Sequence, residues 1–207
     1  MNTKVLVVDD EKTSRNLFEM IIKESERYRL SGAISSASDV VGYIKKNPTD
    51  LILMDIVMRD GSNGIRATQK VKLSYPNIKV IIVTNTADPK HIKLAREAGA
   101  DSFWYKEVGE EPVLDLMDRT MAGEQIFPDT TPELLLGNAP TTSFTEREID
   151  VMRELAGGLS NKEIGEKLSI SEETVKGYIK TLLDKTGYSN RTELAINAVL
   201  YKVVVAE

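Results

Sequence analysis

Short apolar runs alternate with amphipathic stretches five times in the first half of the chain. The runs that predict strands are residues 4–8, 30–34, 51–54, 80–83 and 102–105. Segments with helical spacing, such as residues 14–24, separate them. Strands that are nearly continuously apolar are covered on both faces. The pattern therefore predicts an α/β unit, a doubly wound five-stranded parallel sheet with helices on both sides.

The alternation stops after residue 122. Residues 123–142 contain three prolines and two glycines without sustained periodicity, which predicts a linker with one helical turn at 132–136. Beyond it the pattern predicts only short helices. Capping pairs that mark helix starts are Thr145 with Glu148, Ser160 with Glu163, and Asn190 with Glu193. We therefore predict three parts: a first domain at 1–122, the linker, and a small all-α domain at 143–207.

Composition narrows the function classes. The 207 residues include no cysteine, which excludes a disulfide framework, a thiolate metal site and a cysteine nucleophile. No apolar run approaches the roughly 18 residues of a membrane span, and the opening segment is too short and acidic for a signal peptide. We expect a cytoplasmic protein without a membrane partner. The net charge of -5 also argues against binding nucleic acid through bulk basicity.

The charge of the second domain limits how it could bind DNA. From residue 143 onward, 9 Lys and Arg face 11 Asp and Glu, a net charge of -2. Any contact with DNA must therefore be local.

Polar residues follow four of the predicted strands. Asp9 and Asp10 follow the first strand, Asp55 the third, Thr84 the fourth and Lys106 the fifth. Ligands of parallel α/β sheets bind beyond the carboxyl ends of the strands. If the first and third strands are neighbours, three carboxylates converge, and their repulsion requires a cation. Oxygen ligands without His or Cys indicate magnesium.

These residues suit phosphoryl transfer. A carboxylate beside magnesium can attack phosphorus and form an acyl phosphate, and Asp55 is the candidate nucleophile. Lys106 would neutralise charge on the transferring group, and the Thr84 hydroxyl could bond a phosphoryl oxygen. Each residue alone has an ordinary explanation as a turn former, a strand former or a solvated charge. Their occurrence at successive strand ends favours the chemical explanation.

A family resemblance supports this hypothesis. The motifs that carry it are Val7-Val8-Asp9-Asp10, Leu53-Met54-Asp55, Val83-Thr84, and Gly99-Ala100-Asp101 through Lys106. They resemble receiver domains of two-component response regulators. The resemblance implies a flavodoxin-like fold and a sensor histidine kinase that phosphorylates Asp55, with no small-molecule substrate.

The resemblance also implies roles for further residues. Magnesium would be held by Asp10, Asp55 and the backbone carbonyl of Val57, with Asp9 acting through water. Phe103 falls at the family's aromatic switch position, three residues before Lys106.

Three positions depart from the family pattern or stand apart from it. Arg59 stands where the family often has proline, in a segment that is one residue longer than usual. Asn85 follows Thr84 where a smaller residue is common. His91, the single histidine, is expected at a solvated helix position. None of these removes a group that the chemistry needs.

The second domain contains a predicted helix-turn-helix. A short helix begins at Asn161, a turn follows at 169–171, and a second helix runs to about Thr186. Its apolar face comprises Val175, Ile179, Leu182 and Leu183. The opposite face, with Lys176, Gly177, Lys180 and Thr181, could enter a major groove. A plain helical bundle with solvated lysines is the alternative.

The segments 159–164 and 170–176 resemble the LuxR/NarL-type helix-turn-helix. The resemblance implies a recognition helix at 173–185 and a homodimer, formed on phosphorylation, that binds DNA. The implied DNA contacts are Thr174, Lys176, Gly177, Lys180 and Lys185. Dimerisation would use Ala195, Ala198 and Val199 of the last helix, and for Leu194 packing within the domain competes with this role.

The favoured function is a phosphorylation-controlled DNA-binding transcription regulator, not an enzyme beyond its own phosphoryl acceptance and dephosphorylation. A phosphatase of the haloacid dehalogenase type is the enzymatic alternative. That class needs a general acid two residues after its nucleophile, where this chain has Val57. An interaction protein that never turns over phosphate is a third class, against which the intact set of polar residues argues.

Overall fold

The computed structural model describes residues 2–106 and 112–205, which divide into two compact units. The first unit holds the described residues up to Asn85 and from Lys90 to Thr130. The second holds Thr86–Pro89 and the described residues from Thr131 onward. The short segment Thr86–Pro89 therefore belongs to the second unit although it follows the fourth strand.

A five-stranded parallel sheet forms the centre of the first unit, with the order β2-β1-β3-β4-β5. The strands are β1 Thr3–Val8, β2 Tyr28–Ile34, β3 Leu51–Met54, β4 Lys79–Thr84 and β5 Ser102–Tyr105. The predicted fold class is confirmed. Strands β1 and β3 are neighbours, and Val8 lies opposite Met54 in their register. The residues that follow these two strands consequently leave the sheet side by side.

Helices cover the sheet on both faces. They are α1 Lys12–Glu24, α2 Val40–Ile44, which follows a 3-10 turn, α3 Gly64–Ser74, α4 Pro89–Glu97 and α5 Val113–Met121. The buried strand residues are divided between two hydrophobic clusters. Leu6 and Ile52 belong to one, and Val5 and Leu53 belong to the other. Successive strand residues point to opposite faces, so each strand contributes to both cores.

His91 is buried, so the expectation of a solvated position is wrong. Only 7% of the residue is exposed. It lies one helical turn before Ala95, the other buried residue of α4. Residues four apart share a helix face, and His91 therefore occupies the inward face.

The linker contains a small hairpin where a helical turn was predicted. Strand β6 Leu135–Leu136 pairs antiparallel with β7 Ala139–Pro140. Gly137 in the turn has a φ of +61°, and a Cβ there would lie 2.1 Å from the carbonyl oxygen of Thr186. Leu136 is fully buried in the core of the second unit. Turn geometry and burial of one leucine thus override the local helical pattern.

Four helices complete the described part of the second unit. They are α6 Glu146–Ala156, α7 Asn161–Leu168, α8 Glu172–Thr186 and α9 Arg191–Leu200. Reciprocal capping boxes form at Thr145 and Ser160, as predicted, whereas Asn190 caps α9 through its own side chain. The predicted apolar face of α8 packs in the core of this unit. Of the helices in the described ranges, none has the length and apolar character that crossing a membrane requires.

Candidate functional site

Three carboxylates converge at the carboxyl ends of β1 and β3. Asp9, Asp10 and Asp55 each offer an oxygen within 4.8 Å of the others. The pairing of the strands produces this arrangement, because the Asp55 N–H donates to the carbonyl of Val8 at 2.8 Å. Asp9 is only 2% exposed. The structure therefore brings together the acidic residues that the sequence predicted.

Lys106 neutralises two of these carboxylates. Its ammonium Nζ donates to Asp9 Oδ2 at 2.6 Å and to Asp55 Oδ2 at 2.7 Å. The lysine side chain is 11% exposed. Burial acts to lower the pKa of Lys106, but Asp55 and Asp9 outweigh it and raise that pKa above its ordinary value. Lys106 is therefore a fixed positive charge at this edge of the sheet.

Asp55 is a carboxylate with altered acidity. Burial raises the pKa of Asp55 to about 6, and the negative charge of Asp9 adds to this effect. Lys106 and the backbone N–H of Ile56 act in the opposite direction without cancelling it. At neutral pH the group is still ionised and able to act as a nucleophile.

The start of α1 positions Asp9. The Glu11 N–H donates to Asp9 Oδ1 at 2.8 Å, and the Ser14 hydroxyl donates to Asp9 Oδ2. The Arg15 guanidinium donates to the backbone carbonyl of Asp9 at 2.6 Å. Sequence reasoning missed Ser14 and Arg15. Their spacing from Asp9 does not show which side of the helix start faces the strand.

The loop after Asp55 reaches back to Asp10. The Arg59 N–H donates to Asp10 Oδ2 at 2.9 Å, and the guanidinium Nε lies 3.2 Å from the same oxygen. The loop returns closely to its origin: a Cβ at Gly64 would stand 1.8 Å from the Asp55 carbonyl oxygen. Val57 lies in this loop and is 36% exposed. The sequence marked Arg59 as unusual but not as a partner of Asp10.

The remaining predicted residues of this site lie at the ends of β4 and β5. Thr84 is 1% exposed, and its carbonyl accepts a hydrogen bond from the Lys106 N–H at 3.0 Å. Phe103 is buried, with its ring centroid 5.1 Å from that of Tyr105 in an edge-on arrangement. Phe103, at the implied aromatic switch position, therefore lies in the core of the first unit. Among the described residues, the buried Oδ1 of Asn85 has no hydrogen-bond partner.

Helix α8 of the second unit presents the predicted polar face. Lys176, Gly177 and Lys180 are exposed, and Lys176 forms ion pairs with Glu172 and Glu173 on its own helix. A Cβ built on Gly177 meets no atom within 4 Å, so packing does not require glycine. Thr174 is exposed and bonds the capping Ser171. An open pocket with a volume of about 630 Å³ lies beside this helix, and both lysines line it.

Lys185, an implied DNA contact, forms hydrogen bonds within the second unit. Its ammonium donates to Glu148 Oε2 at 2.8 Å and to the carbonyl of Ser143 at 2.9 Å. Burial acts to raise the pKa of Glu148, but hydrogen bonds from Lys185 and Thr145 hold that pKa below its ordinary value. In the structure Lys185 therefore makes internal contacts, and its ion pair with Glu148 ties α8 to α6.

The exposed surface of α9 also differs from the predicted one. Ala198 is fully buried in the core, so it cannot contribute to a dimer surface in this structure. Leu194 is buried too, so of its two possible roles the structure supports packing within the domain and not dimerisation. Ala195 is partly buried against the same core, whereas Val199 is 42% exposed. Exposed apolar neighbours of Val199 are Ile196 and Leu200, at 54% and 69%.

A doubly wound sheet with this acidic site, followed by a helix-turn-helix, defines a receiver joined to a DNA-binding domain. Residues 5–118 match the family model for the response regulator receiver domain. Residues 142–198 match the model for bacterial regulatory proteins of the luxR family. The chain belongs to the response regulators of the LuxR type. It is a phosphorylation-controlled transcription regulator.

Relatives match over nearly the whole chain. The response regulator protein VraR of Staphylococcus epidermidis is 30% identical over 212 residues, covering 99% of this chain and 100% of its own. The nitrate/nitrite response regulator protein homolog of Haemophilus influenzae is 29% identical over 197 residues, covering 93% and 94%.

A solved structure has the same fold. RcsB from Salmonella enterica serovar Typhimurium, bound to promoter rprA in the presence of the phosphomimetic BeF3-, has a TM-score of 0.61. It is 19% identical and covers 95% of this chain and 98% of its own. At this identity the likeness shows the fold.

Proposed function

We propose that Asp55 is the phosphoryl acceptor and that a sensor histidine kinase is the donor. The observation that carries this proposal is the contact of the Lys106 ammonium with both Asp55 and Asp9 at the carboxyl edge of the sheet. A largely buried cation beside a largely buried carboxylate is the arrangement that stabilises charge on a transferring phosphoryl group.

The transfer follows from these positions. An Asp55 carboxylate oxygen forms a bond to phosphorus as the bond between phosphorus and the donor's histidine nitrogen breaks. The donor nitrogen keeps that electron pair, and an acyl phosphate results. Lys106 then pairs with a phosphoryl oxygen instead of the Asp55 oxygen. The Thr84 hydroxyl donates to a second phosphoryl oxygen.

The acidic residues fit a magnesium ion. Three carboxylates within 4.8 Å of one another and no nitrogen or sulfur donor in the set suit a hard cation. Asp10, Asp55 and the carbonyl of Val57 would hold magnesium directly, with Asp9 acting through water. When bound, the ion supplies positive charge that neutralises the phosphoryl oxygens.

The second unit would deliver the response. We propose that Lys176, Lys180, Thr174 and the backbone at Gly177 contact DNA. The promoter-bound RcsB structure supports this use of a shared fold. The exposed apolar residues of α9, centred on Val199, are the proposed surface of a homodimer formed on phosphorylation. A cytoplasmic location would suit both activities, because the chromosome and the kinase's transmitter are accessible there.

We further propose that the chain catalyses only its own phosphoryl acceptance and loss. A phosphatase of the haloacid dehalogenase type would need a general acid two residues after Asp55. Val57 at that position has an apolar side chain without an ionisable group.

The proposal is tested by incubation with a small phosphodonor and MgCl2, followed by intact mass and gel filtration. The wild type should gain one acid-labile phosphoryl group and shift to a dimer. Asp55→Asn keeps the side-chain volume and should gain none. Asp60→Asn, an exposed change in the same loop, is the matched control and should behave like the wild type. An unchanged mass gain in Asp55→Asn would contradict the assignment.

A further inference from the structure

Arg59 places a positive charge on one of the proposed magnesium ligands. Two donors of this residue reach the same Asp10 oxygen, Oδ2: the backbone N–H at 2.9 Å and the guanidinium Nε at 3.2 Å. The Asp10 side chain is 14% exposed, whereas that of Arg59 is 81% exposed. The guanidinium therefore approaches the acidic cluster from the solvent side.

The contact is electrostatic and not a packing contact. A side chain that is four-fifths exposed buries little apolar surface and contributes little to the core. The backbone N–H alone already donates to Asp10 Oδ2, so the loop does not need the guanidinium to make that bond. What the side chain adds is a unit of positive charge beside Asp10.

The three carboxylates carry three negative charges, and Lys106 contacts Asp9 and Asp55 but not Asp10. Arg59 supplies the second cation, at the carboxylate that Lys106 leaves unpaired. With the two cations that contact carboxylate oxygens counted, Lys106 and Arg59, the cluster carries one net negative charge instead of the two that Lys106 alone would leave. A divalent ion is attracted in proportion to that net charge.

We propose that Arg59 is a built-in competitor of magnesium. It pairs with Asp10 in the metal-free protein, is displaced from that oxygen when Mg²⁺ binds, and so sets the Mg²⁺ affinity of the receiver. The inference rests on the proposed magnesium site and adds a residue that regulates it. An exposed ion pair is weak and yields readily, which suits a contact that must open at each binding event.

Calorimetric titration of the full chain with MgCl2 alone, without a phosphodonor, tests the proposal. Arg59→Gln removes the charge and retains the backbone donor. It should bind Mg²⁺ about threefold to tenfold more tightly than the wild type at low ionic strength. Because salt screens exposed charges, the difference should shrink at high ionic strength. Arg59→Lys, which keeps the charge, should stay near the wild type.

Two further variants make the result decisive. Arg66→Gln removes the same charge from an exposed position of α3 and should leave the affinity unchanged. Asp10→Asn should abolish Mg²⁺ binding. Equal or weaker Mg²⁺ binding by Arg59→Gln, beside a wild type that binds, would overturn the role of Arg59. Absence of Mg²⁺ binding by the wild type itself would instead overturn the proposed magnesium site.

Discussion

The Lys106 ammonium lies 2.7 Å from the carboxylate of Asp55, although the two residues are 51 positions apart in the sequence. The contact joins the ends of β3 and β5, which are separated by β4 in the sheet. The lysine therefore reaches across one strand to hold the proposed phosphoryl acceptor. Its presence reduces the cost of a buried negative charge without removing it, because the pKa of Asp55 still rises to about 6.

The raised pKa predicts how pH affects the stability of the metal-free protein. A carboxyl group whose pKa rises from 3.8 to about 6 on folding stabilises the fold while it is protonated. That contribution is complete below pH 3.8 and is lost as the pH rises through about 6. The difference corresponds to about 3 kcal/mol in the free energy of unfolding. Relative to Asp55→Asn, the wild type should lose up to this amount between pH 4 and 8.

Urea unfolding at a series of pH values in the presence of a chelator measures this difference. The raised pKa of Lys106 lies above the range tested, so Lys106 stays charged throughout. Asp60→Asn is the control. The hydroxyls of Ser36 and Ser62 lower the pKa of the exposed Asp60, so its effect should appear only at acid pH. Parallel stability curves for the wild type and Asp55→Asn would contradict the raised pKa.

Asn85 should control how long the phosphoryl group persists. Asn85 is partly buried and follows Thr84 directly, and its buried Oδ1 has no hydrogen-bond partner among the described residues. Hydrolysis requires a water in line with the Asp55 oxygen, and a bulky neighbour obstructs that approach. Asn85→Ala should shorten the phospho-Asp55 lifetime about fivefold, a change of about 1 kcal/mol in the barrier. It should also speed acceptance from small donors.

Decay at fixed magnesium and pH measures the lifetime. Asn85→Leu keeps the bulk and removes the amide, so it separates obstruction from water positioning. Under obstruction, the leucine variant should decay like the wild type. Decay of Asn85→Ala at the wild-type rate or slower would show that Asn85 does not gate the site.

Lys176 and Lys180 should account for much of the salt dependence of DNA binding. They are exposed on the predicted recognition helix α8, within a domain of net negative charge. The double variant Lys176→Ala, Lys180→Ala should nearly eliminate binding. Each single variant should flatten the slope of log K against log salt by roughly 0.9 if it removes one phosphate contact. Lys202→Ala is a control outside the helix-turn-helix, and wild-type binding without salt dependence would refute the interpretation.

The exposed apolar surface of α9 should matter for dimerisation on DNA. Val199→Glu places a charge among Ile196 and Leu200, which disfavours burial of that surface in a dimer. We expect loss of the phosphorylation-dependent dimer in gel filtration and at least tenfold weaker binding to a two-site DNA. Thermal unfolding should be nearly unchanged because Val199 lies outside the core. A dimer of wild-type strength in this variant would place the interface elsewhere.

Much of the fold could be predicted from the sequence because burial leaves a periodic pattern. The five strands and the buried face of α8 follow from apolar runs and helical spacing. The linker hairpin could not be predicted, since its strands are two residues long and depend on the turn at Gly137. His91 and Ala198 were misplaced for another reason: their neighbours permit either side of the helix to face inward.

The sequence predicted the site residues that directly follow strands, but not the contacts made by the loop that folds back towards Asp10. Asp9, Asp55 and Lys106 follow apolar strands, so the sheet alone brings them together. Arg59 reaches Asp10 through a loop whose path depends on the close return at Gly64. Lys185 was assigned to DNA from its place on the recognition helix. Its ion pair with Glu148 depends on how two helices pack, which no local pattern encodes.

The ammonium that bridges Asp9 and Asp55 is the last of the site's charged groups to be synthesised. A nascent chain that has completed β1 and β3 can pair these strands and bring Asp9 and Asp55 together, but Lys106 does not offset the repulsion between these two until β5 is complete. In a chain that ends before β5, the pairing of β1 with β3 would therefore bring these carboxylates together without that counter-charge. A receiver cut short before its fifth strand would lack the ammonium that contacts the proposed phosphoryl acceptor, so the site is complete only when the last strand has been made.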